Sequence, residues 1–420
     1  VTTVHLAWGT ATRAVTLPAG VEVRSVAARP VPAAADPLGV VARALDEPVG
    51  AGPLAEVARN SRHLTIVVPD ATRSAVAPVY LLPLLSRLAR AGLSPARIRV
   101  LVARGIHPVG TREDVARIVG REVMASLKPI QSAPDTPDLN ETLFEDERLG
   151  PVRVHRVAAQ AEQVVLTGIV GRHHLAGHSG GAKALVPGVA ERGTVVAAHR
   201  LTLDALVRPD GTLRRAEGPG PNAFRDTLRS IAERFGRAYL LNIVPSDDGG
   251  IADAVAGAVG PAHDEAIRRF EARFKGVGDE PADLVLVGTA APRDRNLIQA
   301  HKALLVAAGH AAPGAPIVWL ARAPDGPGHA DLLPWFESGN LSRHLAALRE
   351  RFHPYGLTAY SLRKLAATHP VHIVSELGRD VLRPMGLLAF DDAQKALDHA
   401  LAEARTAGRP VQRVAVIPRG

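Results

Sequence analysis

Four consecutive strand-forming residues, Thr65–Val68 (TIVV), followed at once by a polar turn, constrain this chain more than any other feature. Such an uninterrupted β-branched run marks a parallel strand covered on both faces. That strand, in HLTIVVPDATR, leads to the helical stretch VYLLPLLSRLARAG. A second strand, ARIRVLVARGIH, precedes TREDVARIVG, a helix with Thr111 as N-cap and Asp114 three residues on. A third strand, QVVLTGIV, opens into the glycine- and histidine-rich stretch that follows. Each strand ends in polar residues: Asp70, Thr72 and Arg73, then His107, then His173. Ligands of open α/β sheets sit beyond the carboxyl ends of the strands, so the three ends are expected to converge on one crevice.

The alternation continues to the last residues, which makes the fold class α/β with mostly parallel sheets. PNAFRDTLRSIAERFG and AHDEAIRRFEARFKGVG read as helices flanking the strand AYLLNIVPS. A Gly/Pro/acidic link, KGVGDEP at 275–281, then precedes a fresh strand, DLVLVGTA. With 420 residues, two domains are expected, 1–275 and 276–420, the terminal strand QRVAVIP being a candidate to return to the first.

Other classes fit poorly. Hydrophobic residues at 46% and charged residues at 22% are globular values. Apolar runs of roughly six to eight residues are too short to span a bilayer. The segment VTTVHLAWGTATR lacks the pattern of a secretory signal, so a cytoplasmic protein is expected. Without cysteine, disulfides and thiolate metal sites are excluded. The net charge of +8 is spread among 42 acidic residues with no basic run, which argues against nucleic acid and suits small anionic substrates.

The chemistry concentrates in Thr167–Arg200, where His173, His174, His178, Lys183 and His199 surround a Gly-His-Ser-Gly-Gly turn. Ala182 and Ala184 flank Lys183, so the nucleotide-triphosphate loop G-x-x-x-x-G-K-[ST] is not matched. Gly177, Gly180 and Gly181 still let backbone approach a ligand, Ser179 can donate to a phosphate, and a desolvated Lys183 is suited to be a nucleophile or covalent anchor. The histidines offer zinc or nickel ligands, though no acidic residue takes the HExxH position. His107 suits a general base. Arg73 and Lys302 suit a carboxylate, and Gln299 shares a helix face with Lys302. Each of these side chains has a plain structural reading as well: a solvated lysine in a tight turn, a loop histidine, a helix-surface pair.

Taken together, DATR (Asp70–Arg73), GIHP (Gly105–Pro108), HHLAGHSGGAKALVPG (His173–Gly188), AAHR (Ala197–Arg200) and PRDRNLIQAHKAL (Pro292–Leu304) resemble the nickel-pincer-nucleotide lactate racemase family over nearly the whole chain. The resemblance implies two α/β domains with the site in the cleft between them. It implies nickel and a pyridinium-3,5-bisthiocarboxylic acid mononucleotide, joined covalently to Lys183, with His199 completing the metal's coordination. His107 and His173 would be the paired acid–bases. Asp70, Thr72, Ser179, Gly180 and Gly181 would handle ribose and phosphate, and Arg73, Gln299 and Lys302 the substrate carboxylate. Cofactor-biosynthesis proteins would be partners.

The function implied is racemisation or epimerisation of a 2-hydroxy acid, a hydride leaving C2 and returning to its other face. Departures from the family pattern bear on substrate. Ile298 stands where an aromatic precedes the glutamine, His174, Leu175 and His178 where Phe is frequent, and Pro108 where Arg is common. With Arg104, Arg172 and Arg200 beside the site, a larger or more polar acid than lactate is expected: malate-like, hydroxyglutarate-like or a sugar acid. Lactate itself, or a nickel- or nucleotide-binding protein without turnover, are the alternatives. A dissociable nicotinamide cofactor is disfavoured, since no G-x-G-x-x-G follows the first strand.

Overall fold

A computed structural model of the chain describes residues 1–26, 31–72, 76–173, 175–206, 222–273 and 280–420. The chain forms two compact units, Pro30–Phe274 and Val1–Arg29 with Lys275–Gly420.

The first unit is built on the strands expected from their apolar runs. Leu64–Pro69, Ile98–Ala103 and Gln163–Ile169 are adjacent and parallel, with Leu64–Pro69 in the centre. Ala238–Pro245 extends the parallel run beside Gln163–Ile169, and Ile251–Ala258 closes that edge antiparallel. A two-residue strand, Ile130–Gln131, adds to the opposite edge. The central strand shows no apolar–polar alternation because both its faces are covered. Ile66 and Val68 pack under helix Ala77–Arg90 through Tyr80, Leu81 and Leu84, while Val67 is equally buried. Each such side chain contributes about 1.5–3 kcal/mol on leaving water. The buried Tyr80 hydroxyl bonds Thr167 Oγ1 at 2.8 Å, and Thr167 in turn donates to the Val67 carbonyl at 2.7 Å. Helix and two strands are thereby tied with their polar groups satisfied. Thr111 caps the helix Arg112–Val119 in a capping box with Asp114, as its sequence indicates.

The second unit is discontinuous in sequence, and here the structure corrects the domain assignment 1–275 and 276–420. Strand Thr2–Gly9 runs parallel to Leu284–Ala290, and Glu22–Ser25 runs parallel to Arg413–Ile417. The terminal strand also pairs with Leu284–Ala290, so it stays in this sheet and does not return to the other unit. Ile317–Leu320, Val371–Val374 and Leu388–Phe390 complete the parallel order, while Ala11–Leu17 forms a hairpin with the first strand. The physical reason lies in the ladders: the open edge of the C-terminal strands is filled by residues from the opposite end of the chain, which no local pattern specifies. Leu6, Leu17, Leu284, Leu286, Val414 and Val416 share one core with Ala396 and Leu397 of helix Ala393–Thr406. Among the described residues, no helix is long and apolar enough to cross a membrane.

Candidate active site

Because Leu64–Pro69, Ile98–Ala103 and Gln163–Ile169 are neighbours running the same way, their carboxyl ends share one sheet edge. Asp70 and Thr72 follow the central strand, His107 follows one neighbour, and His173 follows the other. Asp70 accepts at Oδ1 from the Thr72 hydroxyl at 2.6 Å and the Thr72 amide at 3.3 Å. Its Oδ2 lies 2.7 Å from His107 Nδ1. A carboxylate only accepts, so Nδ1 carries the hydrogen and Nε2 of neutral His107 is left with a lone pair. The His107 ring is 29% exposed, enough to meet a ligand.

His173 is held in the reverse sense. It sits in a two-residue strand, Arg172–His173, paired with Gly177–His178. The amides of Leu175 and Ala176 each donate to His173 Nδ1 at 3.2 Å. In the neutral ring the proton is then on Nε2. Asn222, the N-cap of helix Ala223–Phe235, braces this turn by donating to the Leu175 carbonyl at 2.9 Å.

The Lys183 loop is shaped by contacts with Asn242 and His263. Gly180 (φ +83°) and Gly181 (φ +58°) lie in the left-handed region, and a Cβ on Gly181 would stand 2.4 Å from His263 Nδ1. Gly181 N donates to Asn242 Oδ1 at 3.0 Å, and His263 Nε2 donates to the Ser179 carbonyl at 3.0 Å. Ser179 Oγ bonds the carbonyls of Ile169 at 2.7 Å and Gly171 at 3.2 Å, anchoring the loop to the strand above it. Lys183 follows in the turn Gly181–Ala184, its ammonium nitrogen shielded from solvent.

His199 comes from helix Arg192–Leu206. Loss of hydration pushes its pKa down to about 4, opposed by its bond to Val195 and assisted by the charges of Lys183 and His107. It is therefore neutral at pH 7. Nδ1 donates to the Val195 carbonyl at 2.8 Å, which fixes the tautomer and presents Nε2 as a ligand atom.

The amino-acid sequence and the fold point to one family. Residues 8–207 match the family "Lactate racemase N-terminal domain". The lactate racemase of Lactiplantibacillus plantarum is 26% identical over 388 residues, covering 90% of this chain and 89% of that protein. The lactate racemase of Thermoanaerobacterium thermosaccharolyticum is 24% identical over 388 residues, covering 91% and 88%.

The chain is similar to the lactate racemases in sequence and in fold.

In fold it resembles the lactate racemase apoprotein of Thermoanaerobacterium thermosaccharolyticum, with a TM-score of 0.85 at 23% identity over 100% of this chain and 98% of that one. A protein from Thermotoga maritima is more distant, at TM-score 0.67 and 14% identity over 91% and 97%.

The other residues expected at such a site have the following surroundings. Asp70 and Thr72, expected at a ribose, are joined to each other and to His107. Gln299 and Lys302 share a face of helix Leu297–His310, with Lys302 Nζ donating to Gln299 Oε1 at 2.6 Å. They belong to the discontinuous unit. Arg73 and His174 lie outside the described residues. His178 is engaged by Glu271 at 2.8 Å, and Arg172 reaches the same carboxylate at 3.1 Å. Arg104 bonds the carbonyls of Ser132, at 2.7 Å, and His107. Arg104 and Arg172, considered with Arg200 for a second substrate carboxylate, are thus engaged within the fold, and Arg200 lies on helix Arg192–Leu206. Asn242, His263 and Glu271, which shape the loop, carry no local signal: a buried Asn in a strand and a His in a helix look like ordinary core and surface residues.

Proposed function

We propose that this protein is a racemase or epimerase of a 2-hydroxy acid that works with nickel and a pyridinium-3,5-bisthiocarboxylic acid mononucleotide. The observation that carries the reading is the opposite tautomers of His107 and His173 beside a shielded lysine and a neutral His199. Homology to lactate racemases supports the reaction class.

The residues fit the cofactor. Lys183 would hold the nucleotide covalently, and His199 Nε2 would ligate nickel, for which neutral imidazole is suited. Bound there, the cofactor would accept the C2 hydride and return it. Neutral His107, with its lone pair at Nε2, would take the hydroxyl proton of one enantiomer, and Asp70 would stabilise the imidazolium formed. His173, carrying its proton at Nε2, would supply one to the other enantiomer's oxygen. In the reverse direction the two exchange roles. Ser179 and the Gly180–Gly181 backbone would face the nucleotide's phosphate and ribose together with Asp70 and Thr72. Arg73, Gln299 and Lys302 would hold the substrate carboxylate.

Ile298, Pro108, Leu175 and His178 support a substrate larger or more polar than lactate, in a cytoplasmic enzyme that depends on cofactor-biosynthesis proteins. The test is peptide mass spectrometry with nickel analysis on protein co-expressed with a nickel-pincer biosynthetic set. A mononucleotide-sized adduct on the Lys183 peptide is expected, absent in Lys183→Ala, with nickel lost in His199→Ala. An unmodified Lys183, while a lactate racemase prepared alongside is loaded, would overturn the reading. With loaded enzyme, a panel in which lactate is the best substrate would overturn the substrate class alone.

A further inference from the structure

The discontinuous unit carries a second convergence of metal-binding side chains, far in sequence from the Lys183 loop. His372 lies on strand Val371–Val374 and is fully buried. His399 and Glu403 stand one turn apart on helix Ala393–Thr406, at the border of the face that packs on that strand. His372 Nε2 is 3.0 Å from His399 Nδ1 and 3.0 Å from Glu403 Oε2. All three ligand atoms lie within 4.8 Å of one another.

Hydrogen bonding alone leaves this arrangement incomplete. Nε2 of His372 has one hydrogen at most, and the directed bond at this junction joins the two imidazoles. Glu403 Oε2 is buried yet receives no hydrogen bond among the described residues, despite its 3.0 Å approach. A carboxylate in the last turn of a helix also meets the negative end of the helix dipole. Such an oxygen is costly to bury without a donor or a cation.

A divalent ion resolves each of these points. Two imidazoles and one carboxylate form the donor set of open zinc centres, with a fourth position for water. Tetrahedral ligand atoms about 2.0–2.2 Å from zinc stand about 3.3–3.6 Å from one another, and His372 Nε2 lies 3.0 Å from each of its two neighbours. The i, i+4 pair on the helix supplies two ligands in a fixed relation, and His372 supplies the third from the rigid sheet. Phe390 covers the other side, its ring centroid 5.6 Å from that of His372 and 5.2 Å from that of His399. His399 is exposed, which gives an ion a way in from solvent.

We propose that His372, His399 and Glu403 form a site for a divalent transition-metal ion, zinc in particular, that clamps helix Ala393–Thr406 to the sheet. The proposal is independent of the hydroxy-acid reading. His199, the expected nickel ligand, is not among these residues.

The test uses the full chain, produced without cofactor biosynthesis, stripped with chelator and titrated with Zn²⁺, in the wild type and in a His199→Ala background that removes the metal ligand proposed for the other site. His399→Ala and Glu403→Gln change residues at the helix surface, and each is made in that background. The expected result is one zinc equivalent in His199→Ala, accompanied by a rise in Tm, and bound more than about 100-fold more weakly in both double variants. Co²⁺ in place of zinc should give a tetrahedral visible spectrum that the same substitutions abolish. Unchanged zinc affinity in the double variants, or no equivalent bound in the His199→Ala parent, would overturn the site and leave a hydrogen-bonded His–His–Glu cluster. Imidazole also binds nickel, so nickel counts on the loaded enzyme should fall by one equivalent in His399→Ala wherever nickel is in excess.

Discussion

Two histidines are made chemically different by what touches Nδ1. At His107 it is a carboxylate oxygen, at His173 a pair of backbone amides. The first contact leaves a lone pair at Nε2; the second presents a donor at Nε2. Asp70 is therefore a positioning residue for His107, and its replacement separates that role from ribose binding. Asp70→Asn keeps the shape but loses the charge and permits the wrong tautomer. We expect kcat of loaded enzyme to fall about 10²–10⁴-fold while Lys183 still loads fully. In Asp70→Asn combined with His107→Ala the loss should be no larger than in His107→Ala alone. Loss of loading in Asp70→Asn, read by mass spectrometry of the Lys183 peptide, would mean that Asp70 serves the nucleotide before it serves His107.

Among the elements, the Lys183 loop is a short turn wedged between a strand and a helix. It is anchored by Ser179 and Asn242 on the sheet side and by His263 on the helix side. A side chain at Gly181 meets two penalties together, a left-handed backbone and a 2.4 Å approach to the His263 ring. The backbone alone costs about 1–2 kcal/mol. Gly181→Ala should lower Tm by several degrees and reduce loading of Lys183, whereas Gly193→Ala, which meets nothing within 4 Å at the start of a helix, should leave both intact or raise Tm. Differential scanning calorimetry of the pair decides this, since equal behaviour would mean that the loop gives way at no cost.

Across the full chain, stability depends on histidines kept neutral by burial. Desolvation pushes His263 and His344 down to about 4 and His301 to about 3. Between those values and the unfolded value near 6.5, the unfolded chain binds more protons than the folded one, so stability rises with pH there. The contribution is complete above about pH 6.5 and is lost as pH falls toward 4, by up to about 1.4 kcal/mol per pH unit for each such histidine. Tm should therefore drop steadily from about pH 7 to about pH 4.5. A flat profile would mean that these rings gain protons without unfolding. Replacing His301, whose Nε2 lies 2.9 Å from Ser361 Oγ in the core, should flatten part of the slope.

The features legible in the amino-acid order are local ones: the buried parallel strands with TIVV at their centre, the Thr111 cap, the polar strand ends, and the Gly-rich turn around Lys183. These follow from periodicity, capping and the freedom of glycine, each a property of a few neighbouring residues. The laddering of residues 2–25 with the C-terminal strands became visible only in the folded chain, because any open strand edge offers the same amides and carbonyls, and a remote partner leaves no periodic trace. The same holds for Asp70 against His107, for Asn242 and His263 under the lysine loop, and for His372 beside His399 and Glu403. Each of these contacts joins residues whose chemistry is ordinary in sequence and becomes specific only when folding removes water and fixes the distance between them.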